Sequence, residues 1–113
     1  MGYDLHITRA GHWLDAADQP ISRQEWHVYA AGHPAMRQTG WNDWADIGPE
    51  PVYDWPAGHE DRSSLSWRDG KVTVIGVYTD YIPGLVTIAA DLNANLIGEE
   101  GERYTSHGVT DES

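Results

Sequence analysis

Near the start of the chain Tyr3, Leu5 and Ile7 alternate with Asp4, His6 and Thr8. This period of two predicts a strand over YDLHITR with one buried face, and it sets His6 on the face opposite Leu5 and Ile7. After Pro20 the spacing lengthens. In ISRQEWHVYAAG, Ser22 is placed to cap a helix, Glu25 can reach back to the cap amide, and Ile21 can staple onto Trp26 across the first turn. Trp26, Tyr29 and Ala30 share one face of that helix, Gly32 ends it and Pro34 follows.

From Met36 to Asp61 turn-forming residues recur and alternation is poor, so only a short strand around Trp41 to Ile47 is predicted there. The next stretch, SSLSWRDGKVTVIGVY, sets Asp69-Gly70 between two strand-like runs, as a type I′ hairpin demands. Leu65 and Trp67 line one arm, Val72 and Val74 the other. Beyond Pro83, which suits a first helical turn, Leu85, Ile88, Ala89 and Leu92 keep helical spacing up to a stop near Asn93 to Asn95. NLIG then makes a short strand and EEGE a turn toward Arg103 and Tyr104. The order β-α-β-β-β-α-β predicts an α+β fold, with two helices on one face of a mainly antiparallel sheet of four to five strands. Residues 1–104 form the single domain in this reading, and 105–113 a polar, acidic tail.

Charge changes the picture most. Eighteen acidic residues against seven basic ones leave a formal net charge of -11. That field opposes phosphate backbones and anionic lipid, so no nucleic-acid or membrane partner is expected, and it favours encounter with a basic protein. Without cysteine, disulfides and thiolate metal sites are excluded. MGYDLHITR lacks the apolar run of a secretion signal and no segment reaches membrane-spanning length, which makes the cytoplasm the expected location.

Candidate chemistry is sparse. His6, His12, His27, His33, His59 and His107 include no pair at the three- or four-residue spacing of a helical metal site, so they are read as surface or capping side chains. Glu99, Glu100 and Glu102 around Gly101 do not match a calcium loop and are read as an acidic turn. No nucleophile elbow, P-loop or dinucleotide fingerprint occurs, and no catalytic residue, metal or cofactor is expected. What stands out is WNDWADIGPEPVYDW, residues 41 to 55, with three tryptophans, a tyrosine, four carboxylates and no positive charge. Aromatic anchors ringed by acids suit a protein interface, which nominates Trp41, Asp43, Trp44, Asp46, Glu50, Tyr53, Asp54 and Trp55 as partner-binding residues.

YDLHITRAGHW, PISRQEWHVYAAGHP and IAADLNANLIGEEGERY together resemble a family of short bacterial proteins that begin with a Y-D-L-H-I-like strand and close on an L-N-A-x-x-x-G-D-E-G-E-x-Y-like segment. Glu99 stands where that pattern more often has aspartate, the middle of the chain is unmatched, and no catalytic set carries over. In size and acidity the chain is also similar to immunity proteins of bacterial polymorphic toxins. That resemblance implies a cytoplasmic inhibitor of a basic toxin domain rather than an enzyme. The alternative is a sugar- or base-binding protein or enzyme that stacks its ligand on tryptophan beside His59, Glu60 or Asp61. A homodimer burying its own aromatic patch is a third reading.

Overall fold

The computed structural model describes residues 4–11, 17–46, 48–58, 60–99, 101–105 and 108–110. Alternation at the N-terminus becomes β1, Leu5–Thr8, and all four of its residues are buried. The period-two expectation covers one face: Leu5 and Ile7 enter the main core, while His6 pairs with Thr73 and Ile97 on the other side. His6 is not a surface side chain. It is 5% exposed, with Nε2 4.0 Å from Glu99 Oε2, because β1 lies inside the sheet.

Helix α1, Arg23–Gly32, starts with the expected reciprocal cap: Glu25 N–H donates to Ser22 Oγ at 3.0 Å, and Ser22 N–H donates to Glu25 Oε1 at 3.1 Å. Ile21 and Trp26 are both fully buried, consistent with the staple. Ile21 N–H donates to Gly70 O at 2.9 Å and its carbonyl accepts from Trp67 Nε1 at 2.8 Å, which seats the helix start against a distant hairpin. That hairpin joins β4, Ser63–Arg68, to β5, Lys71–Ile75. Asp69 and Gly70 have φ of 54° and 88°, the two positive values a type I′ turn requires. Helix α2, Ile82–Asp91, has proline in its first turn and buries Leu85, Ile88 and Ala89. β6, Asn95–Gly98, follows it.

The α+β class with two helices holds, but the sheet is larger than the four to five strands predicted. Among the described residues eight antiparallel strands run in the order β2-β3-β4-β5-β1-β6-β7-β8. β2, Arg37–Trp44, begins earlier than expected, and β3, Gly48–Trp55, occupies the segment whose prolines hid it. Pro49 and Pro51 stand two residues apart, so both missing N–H groups lie along one edge of the strand. β4 pairs with β3 only from Val52 to Trp55, so among the described residues no strand lies against β3 on that edge beside the prolines. At the other end β7, Arg103–Thr105, and β8, Gly108–Thr110, pair as a hairpin inside the stretch read as a tail from Thr105 onward. Tyr3, Ile47, His59, Glu100 and the chain end from 111 lie outside the described residues.

One core cluster gathers Leu5, Ile7, Tyr53, Trp55, Leu65, Val72, Val74 and Leu96 from the sheet with Trp26, Ala30, Leu85, Ile88 and Ala89 from the two helices. Among the described residues no helix is long and apolar enough to cross a membrane.

Candidate functional site

Among the described residues β2 is a terminal strand of the sheet and pairs only with β3, which leaves one of its backbone edges without a strand partner there. Its side chains are mostly exposed, and Trp41 is 61% exposed despite its large apolar surface. Asp43 is exposed two positions further on. Trp44 is half-buried, with the Arg68 guanidinium 4.2 Å above its ring centroid. Asp46 accepts two hydrogen bonds from Arg68, at 3.0 and 2.8 Å. The cation therefore stacks on an indole while a carboxylate holds it in a fork, combining a cation–π contact with a two-bond ion pair.

The other nominated residues lie apart from this surface. Tyr53 is 6% exposed and packs edge-on against Trp26 at 5.8 Å between ring centroids. Trp55 is 9% exposed and packs against Tyr81 and α2, so close that a Cβ on Gly84 would lie 2.5 Å from its ring. Asp54 turns to a separate hollow, accepting from Thr39 Oγ1 at 3.1 Å and Arg62 Nε at 3.0 Å. The segment thus divides into an edge surface of Trp41, Asp43, Trp44 and Asp46, a buried pair Tyr53 and Trp55, and two carboxylates engaged elsewhere.

Glu50 is the least expected of these. Its side chain is fully buried, and α1 brings Arg23 and His27 against it. His27 Nε2 lies 2.6 Å from Oε2; with a carboxylate as acceptor, the imidazole carries its proton on Nε2. Arg23 Nε lies 2.7 Å from Oε1 without hydrogen-bond alignment, so that oxygen receives charge rather than a directed bond. Arg23 also donates from Nη2 to Pro49 O at 3.2 Å. Together these contacts pin the proline-bearing half of β3 to α1. Burial, and then the negative charge of Glu50, holds the Tyr53 phenol above its usual range.

A carboxylate–imidazole pair can orient a base, but no hydroxyl side chain among the described residues is hydrogen-bonded to His27, so the pair lacks a nucleophile. Arg23 and His27 were legible only as a four-residue spacing on a helix, and the glutamate they share comes from a segment without a readable period. Among the described residues no three His, Asp or Glu side chains gather as a metal site. Glu60 and Asp61 are both exposed, and His59 lies outside the described residues.

Two grooves lie elsewhere on the described surface. One, of about 740 Å³, is lined by Arg9, Glu25, Val28, Tyr29 and Asp91. Arg9 bridges its walls, pairing with Glu25 at 2.5 Å and donating to Leu92 O at 2.9 Å, so it joins α1 to the end of α2. The other, of about 420 Å³, lies where β2 begins.

No protein-family model, curated protein or solved structure matches the chain.

Proposed function

We propose that the protein is an acidic binding protein that neutralises a basic protein partner, as an immunity protein does a bacterial toxin domain, and that it engages the partner along β2. One observation carries the reading: a large aromatic side chain, Trp41, is 61% exposed on a terminal strand of the described sheet in a chain of net charge -11. Partner contact would remove that indole from water, and the open backbone edge offers hydrogen bonds to an extended segment. Asp43 would meet basic side chains at the rim, and Arg68 between Trp44 and Asp46 would be retained or displaced by a partner arginine. Steering by the whole field would raise the encounter rate, and covering the partner's active site would stop its reaction.

The test begins with capture of basic proteins from the native host at low salt, followed by assay of each captured protein's own activity with and without this chain. Stoichiometric inhibition that Trp41→Ala weakens, while Val28→Ala on exposed helix surface does not, is the expected result. Capture without inhibition, or inhibition indifferent to Trp41, would overturn the reading.

A further inference from the structure

The hollow at the start of β2 differs from the rest of the basic surface. Arg9, Arg23, Arg62 and Arg68 are each held by a carboxylate. Arg37 lines the hollow and, among the described residues, makes no hydrogen bond or ion pair. Glu60 lines the same hollow and is likewise without a polar partner there. A second pair of opposite charges in the same lining is satisfied: Asp54, its side chain 16% exposed, accepts from Arg62 Nε at 3.0 Å and from Thr39 Oγ1 at 3.1 Å.

Several contacts hold the walls. Ala57 N–H donates to Ala35 O at 2.6 Å, which ties the β3–β4 connection to the start of β2. Gly58, at φ 87°, makes the turn there, in a conformation open to glycine at little cost. A bulge at Thr39 shifts the β2–β3 register between Gln38 and Gly40. The cavity of about 420 Å³ falls within the roughly 300–1,000 Å³ of small-molecule sites.

The charges decide the ligand class. Arg37 and Arg62 are balanced by Asp54 and Glu60, so the lining is neutral overall, while the whole chain carries -11. A simple anion would be repelled by that field and by Glu60; a simple cation would meet two arginines. A molecule with both charges suffers neither penalty. We propose that this cavity binds a small zwitterion, an amino acid or short peptide, whose carboxylate is held by the Arg37 fork and whose ammonium is held by Glu60. The Asp54–Arg62–Thr39 network lines the same cavity with its charges already paired. A guanidinium can take a carboxylate through two parallel N–H bonds, which gives the site an orientation as well as a charge. This inference shares β2 with the partner reading but uses none of its residues from Trp41 to Asp46, so either can fail without the other.

Its test is an NMR titration of the intact chain at millimolar ligand. The probes are the free α-amino acids and glycylglycine, with acetate as carboxylate-only control and methylammonium as amine-only control. At least one zwitterion is expected to shift the Arg37 Nε–H signal together with the amides of Ala57, Gly58 and Glu60. Arg37→Gln and Glu60→Gln should each weaken that binding about tenfold or more, and Arg68→Gln should leave it unchanged. Both variants change exposed side chains. The proposal is overturned if no zwitterion shifts these signals, if acetate binds as tightly as the best zwitterion, or if Glu60→Gln has no effect.

Discussion

Glu50 has no exposed surface and sits against two side chains of α1 that are themselves partly open to water, Arg23 at 46% and His27 at 30% exposure. Removing both leaves a buried carboxylate with neither the Arg23 charge nor the His27 hydrogen bond, a defect that costs about 3–5 kcal/mol in fully buried pairs. Because water reaches Arg23 and His27, the expected loss for Arg23→Ala with His27→Ala is about 2–3 kcal/mol. Glu50→Gln should cost less, since Arg23 and His27 can hydrate. Urea midpoints of the variants check this order, and equal losses would show that the two side chains act through packing. Glu25 supplies a pH signature. Its carboxyl is held at about 2, against an ordinary 4.5, first by the Arg9 hydrogen bonds and then by the Ser22 amide. The folded chain keeps this group ionised at pH values where the unfolded chain protonates it, so its stabilisation is complete above about pH 4.5 and is lost as pH falls toward 2. Glu25→Gln, which preserves the capping box, should therefore be less stable than the parent at neutral pH, and the gap should close across that window in acid titrations.

At the scale of elements, the local signals that were read correctly are those in which neighbouring residues suffice. The Ser22–Glu25 box needs four residues, the Asp69-Gly70 turn needs two, and the spacing Leu85, Ile88, Ala89, Leu92 needs two helical turns. β3 was hidden because its evidence is not local: Pro49 and Pro51 argue against a strand until it is known that β4 does not extend beside them. The Trp55–α2 contact is likewise long-range. Gly84→Ala would set a Cβ 2.5 Å from the Trp55 ring, and with the indole already in the core this overpacking should cost about 1–3 kcal/mol. A thermal melt compared with that of Gly40→Ala, where an added Cβ meets nothing within 4 Å, isolates the clash from the general effect of replacing glycine. Equal melting temperatures in the two variants would mean that α2 slides to accommodate it.

Over the whole molecule, the charge of -11 acts on association more than on fold. If the β2 surface meets a basic partner, Asp43→Asn should slow association and flatten its salt dependence while leaving dissociation nearly unchanged, because a rim charge steers more than it holds. Trp41→Ala should do the reverse, speeding dissociation and costing more than about 2 kcal/mol of affinity if the indole is an anchor. Stopped-flow or surface-based kinetics at two ionic strengths separate the two effects. A Trp41 variant that alters only the association rate would remove the indole from the buried contact.

The amino-acid sequence by itself determined the α+β class, both helices, the central hairpin and the acidity, because each depends on spacing, turn chemistry or a sum over residues. It also marked residues 41 to 55 as unusual. Only the tertiary structure decided how that segment is divided, sending Trp41 to an open edge, Trp55 beneath α2 and Glu50 onto Arg23 and His27. The physical reason is that side-chain type sets what each residue needs, whether burial, charge or a hydrogen bond. Which of those needs is met depends on strands and helices brought together from distant parts of the chain.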